Sequence, residues 1–473
     1  MIAFDDYVAT DAIGWAERVR TKDVTALELI DAAIARAEAV NPKINAIAAK
    51  AYNMARAAAR AGLSGPLAGV PWAVKDMYQT VEGVPLTNGS RAYADYVGKS
   101  DTELVKRFKR AGLNIFCTST APEFAISATT ESTLHGLTRN PYDLTRTSGG
   151  SSGGASALVA AGVLPAAHAT DGGGSIRGPA FCCGLFGLKP SRGRVPIAPG
   201  RTEGWLGCST SHAVTRSVRD SALLLDVTHG PEPGSRYVAP PPRGTYLDAT
   251  KRPPGKLRIA YHWQTRADTA ADPDCIAAVE DAARLCAELG HIVEPAAPTL
   301  DYFGLARAFG VGVLTAVAAA VDGRAAELGR ENIDDLLEET TREYAKYARA
   351  MTALQLNAAN GAFMQAAESI ARFQETYDVI LTPTMGKPAV KLGVAALMQP
   401  AALCDAGHLG YSSFTAIYNQ TGQPAMNVPL HWNADGLPVG VQFAGRIGGE
   451  ELLFSLAAQL EQARPWFNRR PAL

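Results

Sequence analysis

The chain has 473 residues, 45 Lys and Arg against 46 Asp and Glu, a formal net charge of -1, and 47% hydrophobic against 19% charged residues. That balance excludes a strongly basic nucleic-acid or anionic-lipid binder, and that apolar content excludes a disordered chain. A chain of this length can bury a large core, as one very large domain or as two lobes.

Residues 1–16 carry Asp5, Asp6 and Asp11 where a secretory signal needs a basic segment followed by an apolar one, so a cytoplasmic location is expected. Thr25-Ala26-Leu27-Glu28 reads as a capping box, and the stripe Leu27, Ile30, Ile34, Ala37 predicts an amphipathic helix ended by Asn41-Pro42. From Gly69 onward, glycines and short apolar runs alternate with Ser/Thr stretches, the texture of strands and turns around a sheet. Residues 155–162 predict a short helix closed by a glycine. The proline-rich stretch 231–254 reads as a surface connection or lobe boundary. Residues 257–261, the helical spacing Ile276, Val279, Ala283, Cys286, and His291-Ile292-Val293 read as strand, helix, strand, which argues for an α/β fold. The apolar run 310–321 is shorter than the roughly 18 to 20 residues a bilayer requires, so no membrane span is expected. Strands at 377–381 and 438–443 and a last helix at about 450–462 complete the reading.

The seven cysteines (Cys117, Cys182, Cys183, Cys208, Cys275, Cys286, Cys404) are odd in number and scattered, which fits reduced thiols better than a disulfide framework. The eight histidines form no HExxH pair or Cys/His cluster, so neither a metal nor another cofactor is expected.

The chemistry concentrates in two glycine clusters: Gly149-Gly150-Ser151-Ser152-Gly153-Gly154, then Asp171-Gly172-Gly173-Gly174-Ser175-Ile176-Arg177. Glycine runs can cradle phosphate, but neither cluster supplies a Lys-Ser/Thr pair after its glycines or a GxGxxG in strand-to-helix context. Gly149 to Gly153 fits GxSxG, yet the preceding Asp143-Leu144-Thr145-Arg146-Thr147 is too polar for the buried strand a nucleophile elbow needs. A serine nucleophile needs a base, and a lysine serves if it is neutral. Lowering a lysine from about 10.4 to 7 requires roughly 4 to 5 kcal/mol, which burial must supply. Lys75 ends the strand-like run Gly69-Val70-Pro71-Trp72-Ala73-Val74; taken alone, a surface lysine is the competing reading.

Gly69 to Asp76, the two glycine clusters and their continuation through Pro179 and Phe181-Cys182-Cys183-Gly184-Leu185-Phe186-Gly187-Leu188-Lys189-Pro190 resemble the amidase signature family. So do Pro122-Glu123-Phe124, Arg139-Asn140-Pro141, Thr382-Pro383-Thr384, Thr421-Gly422-Gln423-Pro424 and Gly436-Leu437-Pro438-Val439-Gly440-Val441-Gln442, which extend the likeness over nearly the whole chain. The pattern is similar to stand-alone bacterial amidases, including those similar to 6-aminohexanoate cyclic dimer hydrolases.

The resemblance implies an α/β fold with a large central mixed sheet flanked by helices. It implies one domain over 1–473: a helical region 1–60, a signature core 61–230, and 231–473 completing the sheet and the substrate pocket. It makes Ser175 the nucleophile, Ser151 a bridging serine in a cis peptide linkage and Lys75 the base. The backbone N–H groups of Gly172, Gly173, Gly174 and Ser175 form the implied oxyanion hole, and Gly149, Ser152, Asp171 and Arg177 are implied to meet the substrate or support the loops. The implied activity is cofactor-independent hydrolysis of a small carboxamide through an acyl-enzyme, with no nucleic-acid or membrane partner and with a homodimer as a possible assembly. The A subunit of a tRNA-dependent amidotransferase and a non-catalytic binding protein on the same scaffold are the alternatives.

Two departures touch the expected pocket wall: Thr118-Ser119-Thr120-Ala121 replaces the family's Lys-Thr-Asn, and Gly178 stands where a larger residue is usual. The stretches 302–349 and 386–408 carry the least family pattern and are expected to build the pocket mouth, and the second is apolar, which favours an apolar or aryl acyl group.

Overall fold

The computed structural model describes residues 2–197, 203–265 and 269–473. The capping box forms as expected: the Glu28 N–H donates to Thr25 Oγ1 at 3.1 Å, and the Thr25 N–H donates to Glu28 Oε2 at 2.9 Å. The helix it starts, Ala26–Ile44, runs past the expected stop at Asn41-Pro42. A proline in the last turn forfeits only its own N–H bond. Burial of Val40 and Ile44 keeps that turn in place until Asn45, at φ 51°, closes it.

Three strands form a small sheet: β1 (Ile47–Lys50), β2 (Pro71–Lys75) and β3 (Asn114–Ser119). In it β3 is central, antiparallel to β1 and parallel to β2, with Lys75 opposite Ser119. Eight strands form the large sheet: β4 (Ala166–Asp171), β5 (Phe186–Lys189), β6 (Thr210–Thr215), β7 (Arg258–Tyr261), β8 (Ile292–Pro295), β9 (Val379–Pro383), β10 (Ala425–Trp432) and β11 (Pro438–Ala444). Their spatial order is β8-β7-β9-β11-β10-β5-β6-β4. The unit read as strand, helix, strand supplies β7, the helix Pro273–Glu288 and β8, and β7 is parallel to both β8 and β9. The other pairings are antiparallel, so the sheet is mixed. All residues of β9 and β11 are buried, as strands covered on both faces require. The stretch 231–254 is a surface connection that includes the short helix Tyr246–Ala249.

A helical layer adjoins the loop after β4, where Phe309 lies against Gly173. It consists of the helices Tyr302–Glu327, Glu339–Ala348, Ala353–Thr376 and Ala401–His408, the first packing on the second and third. Tyr302–Glu327 corrects one expectation. At 26 residues, with a mean hydropathy of 1.8 in its most apolar window, it is long and apolar enough to cross a membrane by length and composition. The run 310–321 understates it because small residues and the lone Arg307 extend the apolar stretch toward Tyr302 without breaking the helix. In the fold its Val313, Val317 and Val321 are buried in a satellite core with Phe124 and Ile333. All seven cysteines are buried and unpaired.

Candidate active site

Lys75 ends β2 with no exposure, and its N–H donates to His168 Nδ1 of β4 at 3.1 Å, tying the small sheet to the large one. Its Nζ lies 2.7 Å from Ser151 Oγ and 2.8 Å from Thr170 Oγ1. No carboxylate is within ion-pairing distance among the described residues. Burial pushes the Lys75 ammonium down to about 7, with the more distant charge of Asp171 acting the other way. His168 is held near 3 by the same burial, so no imidazolium faces the amine. Lys189 is a second buried lysine also pushed down to about 7, but its Nζ donates to Pro190 O at 2.7 Å and reaches no hydroxyl among the described residues.

Ser151 sits on the loop entering the helix Gly153–Ala160, and its peptide bond with Gly150 is cis. A side chain at Gly150 would stand 2.5 Å from Ser127 O and from the Thr129 backbone, so only glycine lets the loop lie this close. The Gly149 carbonyl accepts from Thr130 Oγ1 at 2.8 Å. Ser152 Oγ bridges to β4, donating to Thr170 O at 3.2 Å and accepting from Thr170 N–H at 3.3 Å. Gly149 and Ser152 thus fasten the loop.

Ser175 follows β4 on the loop leading into the helix Arg177–Cys182. Asp171 organises that loop: its carboxylate accepts from Gly174 N–H at 2.7 Å, from Ile176 N–H at 3.1 Å, and from Arg177 Nε and Nη2 at 3.0 and 2.9 Å. The Arg177 guanidinium holds the Asp171 carboxyl well below the usual range despite complete burial. Arg177 also donates to Thr415 O, Gln442 Oε1 and Asn419 Oδ1. Neither Asp171 nor Arg177 is exposed, and Asp171 also contributes to the wall of the smaller cavity beside Ser175.

The expectation for Gly174 is not met, because its N–H is already spent on Asp171. The N–H groups of Gly172, Gly173 and Ser175 have no acceptor among the described residues. Gly174 serves geometry instead: at φ 135° it adopts a backbone that side chains rarely allow, and a Cβ there would collide with Thr415 Oγ1.

Ser175, 9% exposed, lies between two cavities. The larger, about 650 Å³, is lined by Leu305, Phe309, Val313, Tyr344 and His408, so 302–349 and 386–408 both contribute to its wall. The smaller, about 290 Å³, is lined by Ser151 and Ser175 together with Thr170, Trp205, Thr210 and Ser211. No hydrogen bond joins Ser175 to Ser151 among the described residues; the shared cavity brings them together. Gly178 lies under Met385, a wall residue of the larger cavity, as expected. The stretch Thr118 to Ala121 corrects the other expectation. It is buried, and Thr120 Oγ1 is paired with Thr138 Oγ1 at 2.7 Å, so it belongs to the core rather than to the wall.

The Amidase family model matches residues 28–454. The chain belongs to the amidase family. It is therefore a hydrolase acting on amide C–N bonds, and its fold is that of the amidase signature enzymes. This amidase is 36% identical to the 6-aminohexanoate-cyclic-dimer hydrolase of Paenarthrobacter ureafaciens over 98% of this chain and 96% of that one. It superposes on a structure of 6-aminohexanoate cyclic dimer hydrolase complexed with substrate, with a TM-score of 0.92 at 34% identity, covering 98% and 99% of the two chains. A bacterial aryl acylamidase of the amidase signature enzymes is similar at a TM-score of 0.89 and 25% identity, covering 98% and 99%. Thr170, Trp205 and Asn419 were missed from sequence. Thr170 directly precedes the Asp171 cluster, but only the packing of the small sheet against β4 reveals that its hydroxyl meets Lys75.

Proposed function

We propose that this amidase cleaves small carboxamides through Ser175 as nucleophile, Ser151 as proton bridge and Lys75 as base. The observation that carries the reading is the buried Lys75 amine, lowered to about 7 and 2.7 Å from Ser151 Oγ. A neutral amine has one lone pair and two N–H groups: it accepts from the Ser151 hydroxyl and donates to Thr170 Oγ1. As Ser175 Oγ bonds to the amide carbon, its proton passes to Ser151, whose own proton passes to Lys75. The N–H groups of Gly172, Gly173 and Ser175 meet the oxygen as it gains charge. The C–N bond then breaks, the relay reverses to protonate the leaving nitrogen, and water releases the acid from the acyl-enzyme.

The apolar wall of Leu305, Phe309 and Val313 supports an apolar or aryl acyl group. The relatives are named as a 6-aminohexanoate-cyclic-dimer hydrolase and an aryl acylamidase, which supports amide cleavage without fixing the acyl group. A fluorophosphonate probe followed by peptide mapping tests the assignment: the label is expected on Ser175, and a label on any other residue overturns it.

A further inference from the structure

The two cavities at Ser175 differ in what else they touch. The smaller reaches Ser151, whereas the larger stops at Gly150. Resting on the reading above, we propose that the smaller cavity is the binding site of the leaving amine, that it takes a compact amine with a hydrogen-bonding group of its own, and that the acyl group lies in the larger cavity.

Proton delivery sets the orientation. When the C–N bond breaks, the departing nitrogen takes the proton that returns from Lys75 through Ser151 Oγ. The nitrogen must therefore leave on the side of Ser175 where Ser151 lies, and among the two cavities that side is the smaller one. A substrate bound the other way round would place its nitrogen over Gly150 and its acyl carbon chain against the hydroxyls of Ser151 and Thr170.

Two unpaired hydroxyls point to the same assignment. Thr210 and Ser211 of β6 line the smaller cavity at 3% and 1% exposure, and neither hydroxyl has a hydrogen-bond partner among the described residues. Buried hydroxyls are rarely left unpaired, and a ligand carrying its own donor or acceptor satisfies them. Ser211 pairs with Thr170 across β6 and β4, and Thr210 with Asp171, so the two hydroxyls flank the end of the strand that carries the catalytic loop. The larger cavity offers apolar side chains of the helix Tyr302–Glu327, with Arg307, Tyr344, Asp405 and His408 also in its wall. Trp205 lines both cavities and packs on Gly172, where a Cβ would lie 2.6 Å from its ring; it forms the partition between them.

The test is a matrix of amides, one series varying the amine at a fixed acyl group and the other varying the acyl group at a fixed amine, assayed as kcat/KM on the full chain. Thr210→Val and Ser211→Ala are expected to cut the preference for hydroxyl-bearing over plain alkyl amines by about five- to tenfold each, the effect of one lost hydrogen bond. The ranking of acyl groups should stay as in the parent enzyme, whereas Leu305→Ala should reorder that ranking alone. Ethanolamine, added to intercept the acyl-enzyme in place of water, should need about fivefold more for half-saturation in Ser211→Ala. If Thr210→Val and Ser211→Ala move the acyl series instead, or if neither series moves, the amine site is overturned. Fluorophosphonate labelling of Ser175 in the same variants separates the two readings: intact labelling with a flat amine series sinks the amine site alone, and labelling elsewhere sinks the triad.

Discussion

Asp171 and Arg177 meet as a two-pronged ion pair closed to solvent, with Arg177 Nε and Nη2 reaching the two carboxylate oxygens at 3.0 and 2.9 Å. The pair sets the loop on which Ser175 stands. Removing one partner leaves the other charged and buried, a loss of about 3–5 kcal/mol. Arg177→Met is therefore expected to lower the urea midpoint of unfolding and to cut kcat at least a hundredfold. The sign of the pH dependence follows from Asp171, whose folded carboxyl is held far below its unfolded range. Its contribution to stability is complete above about pH 4 and is lost as pH falls through the folded value. Asp171→Asn should remove that part of the acid sensitivity, measured as unfolding free energy between about pH 5 and 2.

Lys75 is pushed down to about 7 by burial, and only its neutral form accepts a proton. The value of kcat/KM should thus rise about tenfold per pH unit below 7 and level off above it. Lys75→Arg keeps the charge at every accessible pH and should abolish turnover at all of them. Lys189→Met should leave the limb at the same pH, because Lys189 reaches no serine; a limb that moves with Lys189 would reassign the titration.

Thr170→Val removes one hydrogen bond from the Lys75 amine. That bond favours the charged form more than the neutral one, so its loss should move the pH limb to lower pH and reduce kcat about tenfold. A pH–rate profile of the variant reads both effects.

Gly173 and Gly174 should respond differently to a methyl group. A Cβ on Gly173 would lie 2.7 Å from the Phe309 ring, while one on Gly174 would meet Thr415 on a backbone at φ 135°. Gly173→Ala keeps its N–H but shifts it away from the oxyanion through that clash, and should lower kcat/KM by about 10²-fold, comparable to losing one donor. Adding Phe309→Ala should recover at least tenfold of it. Gly174→Ala should not be rescued by Thr415→Ala, because the backbone strain remains after the clash is relieved.

How much of this was legible in the sequence depended on how local each feature is. The capping box at Thr25, the strand, helix, strand unit from 257 to 293 and the last helix follow from spacing alone and stand close to where they were placed. Lys75, Ser151 and Ser175 emerged because the resemblance singled them out; taken alone, Lys75 reads as a surface residue. What stayed hidden were contacts made across the fold. Thr170 acquires its role from a neighbouring sheet, Trp205 from a helix about a hundred residues later, and the Gly174 N–H is withdrawn by an Asp171 side chain whose direction no motif states. The helix Tyr302–Glu327 extends well beyond the apolar run 310–321 at its centre, because the flanking turns are helical without being uniformly apolar.

The seven cysteines give the folded protein a built-in reporter. Burial pushes the thiols of Cys182, Cys208, Cys286 and Cys404 up to about 12, and the thiolate is the form that reacts with disulfide reagents. A colorimetric disulfide reagent should therefore find almost nothing to modify in native enzyme and seven equivalents in denaturant, so the time course of its colour change at a given temperature measures how often the interior opens.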